Sequence, residues 1–379
     1  MRVAIALGGT DRGLSGIGVY VRSVLPRLAA KVRDGGGSVV VLGTRADLDA
    51  YDTGDAERSQ VHDGFDHPAA SAAWHLLQAG PAAKRAGASV LLLPAANRRM
   101  TFFSPVPTVA VVHDLAQLKV QKKYDPLRMA YVNHVLTRTL RRATALVAPS
   151  RATRDDIVKA LGVPEGSIRV VWNGVDLERF APAAEGSPQV ASARKHAGLE
   201  GPYLLYPSRL EHPGKNHIRL LRAFAVSRAA TTHTLAFAGK DWGAEALIRA
   251  EIAALGLDQK VKLLGFVPDS VLPGLVAGAD AMIMVGLHEG FGLPAIEAIA
   301  TGRTLVASSS GALPEVVGTL AALCDPLDEK AMTQAIDRAL YDSDLRDRAR
   351  REGRAWAGRF GWENTAGGLF DACREVMAA

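Results

Sequence analysis

The chain has 379 residues and only two cysteines, Cys324 and Cys373. That count excludes a disulfide framework or a cysteine-rich metal site and suits a reducing compartment. No apolar run reaches the roughly 18 residues of a membrane span. The nearest, around 271–300, is broken by Asp280, His288 and Glu289. The opening Met1–Gly9 stretch holds about five consecutive apolar residues, too few for the core of an export signal. A soluble, cytoplasmic protein is expected, with contact at the face of a membrane left open. No His/Cys/carboxylate cluster has metal-ligand spacing. Asp342-Ser343-Asp344 follows a helical stretch and reads as a helix cap. No G-x-S-x-G string occurs, so serine hydrolysis has no support.

What is present is ordinary for a globular chain. Hydrophobic residues make up 48% and charged residues 22%. The length suits two domains of about 100–200 residues each. Net charge is +6, and it is local. Residues 119–159 carry ten basic and three acidic side chains, net +7, so the rest is close to neutral. Only Tyr124 and Tyr131 are aromatic there, which argues against stacking on nucleic acid bases. The region fits an anionic lipid surface or an acceptor diphosphate; a solvated helix face fits it equally well.

Short apolar runs alternate with longer helical patterns. Strands are expected at 3–7, 39–42, 90–93, 109–112 and 145–148, and helices at 17–31, 69–86, 126–143 and 151–161. A second series has strands at 203–206, 234–238, 261–264, 280–285 and 304–307, each with a helix behind it. This rhythm predicts α/β architecture with two doubly wound, Rossmann-like domains. The first spans 1–180 and the second 200–355. Residues 181–199, rich in Pro, Gly and Ser at their start, are expected to link them. Residues 356–379 form a helical segment that crosses back to the first domain. In such sheets ligands bind beyond the carboxyl ends of strands, so two facing domains would place a site in the cleft between them.

Four constellations fall at those ends. Glu289-Gly-Phe-Gly-Leu-Pro-Ala-Ile-Glu297 follows a strand and opens a helix. Pro294 suits a first turn, and Gly290 and Gly292 allow close backbone approach. N–H groups around Phe291–Leu293 would meet a phosphate at the helix start. Glu297, expected in the first helical turn, suits a ribose diol; Glu289, at the strand end, suits sugar hydroxyls. Ser208–Asn216 contains Arg209 and Lys215, a planar fork and a point charge that fit a diphosphate. It is not a Walker loop, since the glycine spacing differs and Asn216 stands at the Ser/Thr position. Gly13–Gly18 gives a glycine loop before a helix. It lacks the third glycine of a dinucleotide fingerprint, because Val21 stands there. His113-Asp114 ends a strand.

Together these residues resemble the family 4 glycosyltransferases, retaining enzymes of the GT-B fold. The resemblance runs through Ser15–Gly18, His113-Asp114, Ala148–Ser150, Asn173–Asp176, Arg209 with Lys215, Gly265-Phe266-Val267, Glu289–Glu297 and Leu313–Gly318. It implies that Arg209 and Lys215 neutralise a donor diphosphate, with Glu297 on the ribose and Glu289 on the transferred sugar. Phe291, Gly292 and Leu293 would offer N–H groups, and Val267 would lie by the base. His113 would line the sugar. Gly16, Ile17 and Gly18 would lie under the diphosphate and near the acceptor. No metal or other cofactor is implied. Gly286-Leu287-His288 departs from the Ser/Tyr-rich residues common before the first glutamate, and Thr301-Gly302-Arg303 from a frequent Cys-Gly stretch. The string from Ser208 is similar to a branch that uses GDP-mannose in bacterial polysaccharide assembly; UDP- and dTDP-sugars are the alternatives. The acceptor implied is a glycan or lipid-linked glycan. A nucleotide-sugar epimerase or hydrolase on the same fold, or a two-lobed sugar-binding protein, stays open as a rival.

Overall fold

The computed structural model describes residues 1–13, 15–115, 131–184 and 186–378. The chain divides into two compact units: Met1–Gly174 with Gly361–Ala379, and Val175–Phe360.

The first unit is built on a seven-stranded sheet. Its strands are β1 (Arg2–Ala6), β2 (Ser38–Gly43), β3 (Glu57–Gln60), β4 (Val90–Leu93), β5 (Thr108–Val111), β6 (Ala145–Ala148) and β7 (Ile168–Val170). The order is β3-β2-β1-β4-β5-β6-β7, and every pairing is parallel. Val- and Leu-rich runs suit strands covered on both faces, and β4 and β5 are buried throughout. Edge strand β3 reads Glu-Arg-Ser-Gln and is largely exposed; it carries no apolar pattern to announce it. The helix Arg151–Leu161 starts where the Ser150 hydroxyl accepts from the Thr153 N–H at 3.0 Å and stops at left-handed Gly162. That cap satisfies a donor the helix cannot satisfy itself. Of the helix expected over 126–143, residues 126–130 lie outside the described ones. The rest is a π-helical turn, Tyr131–Leu136, running into a short α-helix, Thr137–Leu140.

The second unit has six parallel strands: β8 (Tyr203–Tyr206), β9 (Thr234–Ala238), β10 (Val261–Gly265), β11 (Ala281–Met284), β12 (Thr304–Ser308) and β13 (Ala322–Cys324). Their order is β10-β9-β8-β11-β12-β13. The stretch 181–199 is not a bare connection. It contains the helix Pro188–Ala197, capped by Ser187 and ended by left-handed Gly198. Val190 and Ala193 on it are buried, and a Cβ at Gly274 would lie 2.7 Å from that of Ala193. The Pro/Gly/Ser signal therefore marks only the approach to this helix.

The last helix, Trp362–Ala378, belongs to the first unit. It packs along the helix Gly16–Asp34. Tyr20 and Trp362 meet edge to face at 6.1 Å between ring centroids. The Thr365 hydroxyl donates to the Trp172 carbonyl at 2.7 Å, and Arg27 pairs with Glu363 at 3.1 Å. Each sheet reverses its winding once, between β1 and β4 in the first unit and between β8 and β11 in the second. At such a switch point the connections leave in opposite directions and open a crevice.

Candidate active site

In the second unit, the loops that follow β8 and β11 flank the switch point and are tied together. The Leu287 N–H donates to the Gly214 carbonyl at 2.9 Å. Asn216 sits in the left-handed region at φ 62°. Its side-chain amide donates to the Val285 carbonyl at 3.1 Å and the Pro326 carbonyl at 2.6 Å. The Walker-type position is thus filled by a residue that staples three chain segments. The Tyr206 hydroxyl donates to the Lys215 carbonyl at 2.8 Å. These bonds deliver the Lys215 ammonium to Glu289, Nζ to Oε1 at 2.7 Å. Both side chains are mostly buried, at 21% and 13% exposure, so this pair is shielded from screening. Arg209 lies on the same loop as Lys215; its Nε donates to Glu211 Oε2 at 2.5 Å.

Two glycines explain how the Glu289 strand end fits. Gly292, at φ 88°, forms the turn into the helix Leu293–Ala300, and a Cβ there would lie 2.5 Å from Leu313 Cδ2. Gly311, which the sequence reading passed over, lies against Glu289. A Cβ on it would stand 2.5 Å from the Glu289 carbonyl oxygen, which accepts from the Ala312 N–H at 2.9 Å. With Pro294 lacking an N–H, the Leu293 N–H is left at the helix start without an intrahelical acceptor. Phe291 is buried and packs edge to face on Phe360 at 5.8 Å. Val267 is half-buried just beyond β10.

Glu297 is not in the first helical turn. The helix begins at Leu293, which places Glu297 at its fifth position, in the second turn. One extra residue of helix moves the carboxylate from the helix end onto its side. Burial pushes its carboxyl up to about 7; Arg179 opposes that rise and Asp269 adds to it. Arg179 is itself held by the Asp269 carbonyl at 2.6 Å. A carboxyl on that balance is ready to ionise when hydroxyl donors arrive.

In the first unit, the Gly16–Gly18 loop and His113 come together through Tyr20, a residue no motif singled out. A Cβ on Gly18 would lie 2.4 Å from the Gly13 Cα, so glycine is what lets the loop close over the first turn of Gly16–Asp34. Ile17 and Gly18 are buried and Gly16 is exposed. Tyr20 and His113 meet edge to face at 4.6 Å. His113 Nε2 lies 2.8 Å from the Pro94 carbonyl, so that nitrogen carries the proton and Nδ1 is left as acceptor. Burial, only partly offset by the Pro94 bond, holds the imidazole down at about 4. His113 is therefore neutral near pH 7, suited to accepting a hydroxyl hydrogen bond and unsuited to donating a proton.

Lys119, Lys122, Lys123 and Arg128 of the basic region lie outside the described residues. Arg138, Arg141 and Arg142 are exposed. Arg142 covers the ring of Phe102 at 4.6 Å; Phe102 and Phe103 are 52% and 65% exposed. No helix among the described residues is long and apolar enough to cross a membrane.

Comparison with known proteins agrees with the two-unit fold. The Glycosyltransferase Family 4 model matches residues 14–179, and the Glycosyl transferases group 1 model matches residues 191–356. O-antigen chain mannosyltransferase B of Escherichia coli is 29% identical over 260 residues, 68% of this chain and 67% of that protein. The serotype-specific mannosyltransferase WbdA of Escherichia coli is 28% identical over 270 residues, 69% of this chain but only 32% of that protein. Anabaena Alr3699/HepE, solved in complex with UDP-glucose, superposes with a TM-score of 0.76 at 18% identity, covering 99% of this chain and 100% of that one. Both sheets thus follow the GT-B glycosyltransferase pattern, and the chain belongs to the glycosyltransferases that join a family 4 unit to a group 1 unit.

Proposed function

We propose that this protein is a retaining hexosyltransferase. It moves mannose from GDP-mannose to a hydroxyl of a glycan or lipid-linked glycan. The observation that carries this reading is the convergence at the β8/β11 switch point. There Lys215 meets Glu289 at 2.7 Å, with Arg209 on the same loop. Cations belong where a diphosphate gains charge, and a carboxylate belongs beside sugar hydroxyls. The mannosyltransferases among the relatives support the choice of sugar, and the UDP-glucose held by Alr3699/HepE supports a nucleotide-sugar donor of some kind.

The chemistry follows from where charge develops. The bond between the anomeric carbon and the diphosphate oxygen breaks, leaving negative charge on the diphosphate and positive charge on the ring. Arg209, Lys215 and the start of helix Leu293–Ala300 stabilise the first. The acceptor oxygen bonds the same face of that carbon, and its proton passes to an oxygen of the leaving diphosphate. In the second unit Glu289 positions the sugar by hydrogen bonds and Glu297 holds the ribose; in the first, neutral His113 is suited to accept from a sugar hydroxyl. Two fixed cations fill the part that a metal ion plays in other phosphoryl and glycosyl transfers, so none is required.

A second observation concerns the acceptor. Exposed Phe102 and Phe103 beside Arg142 combine an apolar face with positive charge, which suits a peripheral position on an anionic membrane where lipid-linked acceptors reside.

Assaying nucleotide release from a panel of sugar nucleotides should single out GDP-mannose. Activity should persist in EDTA; loss on chelation with recovery on adding Mn²⁺ would refute the metal-free reading. Lys215→Ala or Arg209→Ala should each remove about 2–5 kcal/mol of transition-state stabilisation, seen as a fall in kcat/KM; unchanged turnover would remove their roles. Glu297 accepts hydroxyls best when ionised, and its carboxyl titrates at about 7. Donor affinity should therefore strengthen from pH 6 to pH 8 and lose that slope in Glu297→Gln. Replacing Phe102 and Phe103 by Ser and Arg142 by Gln should reduce sedimentation with phosphatidylglycerol vesicles; equal sedimentation would make the patch plain surface.

A further inference from the structure

The loop after β9 carries a residue that the donor-site reading leaves unused. Trp242 is 52% exposed, yet its position is fixed from several sides. Its N–H donates to the Leu210 carbonyl at 2.9 Å, and the Leu210 N–H donates to the Lys240 carbonyl at 2.9 Å. Leu210 and Asp241 form a parallel bridge, so the loops after β8 and β9 are zipped. Gly239 makes the zip possible, since a Cβ there would lie 2.2 Å from the Ser208 carbonyl oxygen. Beyond the indole, Asp241 Oδ1 accepts from the N–H groups of Gly243, Ala244 and Glu245 at 2.8, 2.9 and 3.0 Å. The result is an indole ring with the Arg209 guanidinium carbon 4.5 Å from its centroid. Glu211 Oε2 takes the Nε of the same arginine at 2.5 Å.

A long arginine side chain on a loop has many rotamers, and a clamp that must meet a diphosphate in one orientation loses binding free energy in ordering it. An indole face is the best aromatic partner for a guanidinium. We propose that Trp242 is a positioning residue of the diphosphate clamp: its ring fixes the plane of Arg209, with Glu211 fixing the Nε, so that the guanidinium is already set when a nucleoside diphosphate arrives. The role rests on the donor-site reading above and adds to it a residue outside the matched motifs. Trp242 acts through Arg209 and contacts no reacting atom.

Calorimetric titration with GDP and with UDP tests it. Trp242→Leu should weaken the nucleotide that the wild type binds by roughly 2- to 30-fold, the span of a half-exposed to a desolvated cation–π contact. Trp242→Phe, which keeps an aromatic face, should restore most of the affinity. Its melting temperature should match that of Trp242→Leu and the wild type. In an Arg209→Met background, Trp242→Leu should change affinity no further. Equal binding by Trp242→Leu and the wild type would overturn the proposal. So would independent losses from the two substitutions, since the indole would then touch the nucleotide directly. A wild type that binds neither GDP nor UDP would overturn the donor-site reading, and this proposal with it.

Discussion

The Lys215–Glu289 pair is the contact on which the second unit's site depends. It joins the loop after β8 to the loop after β11. At about 4 Å and an effective dielectric near 20, unit charges attract by about 4 kcal/mol, much of it offset by desolvation. What makes the pair persist is the scaffold of neutral bonds around it. Asn216 reaches Val285 and Pro326, Tyr206 reaches the Lys215 carbonyl, and Leu287 reaches Gly214. These bonds fix both loops around the ammonium and its carboxylate.

The same economy appears in the first unit with different parts. There the loop is closed by Gly18 against Gly13, and the imidazole of His113 is set by the Pro94 carbonyl and the edge of Tyr20.

Much of this was legible in the sequence, for a physical reason. Parallel strands covered on both faces need continuous apolar runs, and those runs mark β1, β4, β5, β8 and β11 plainly. Motifs at their ends then fall at a switch point by topology alone. What escaped notice lacked such a signature. Strand β3 is polar because it lies at an edge. The helix Pro188–Ala197 hides behind a loop-like approach and buries few side chains. Glu297 was placed in the first turn because the start of its helix is set by the φ of Gly292, which spacing does not reveal. Tyr20, Gly311 and Trp242 act through neighbours distant in sequence, so no local pattern names them.

The first unit is discontinuous along the chain. The face of the helix Gly16–Asp34 that carries Tyr20 is covered by Trp362–Ala378, a helix that follows the second unit in the chain. During synthesis the whole of the second unit must emerge before that cover exists. While the second unit is being made, the nascent first unit therefore has an apolar helix face open, a state prone to wrong partners. Its final stability arrives only with a helix that follows the second unit.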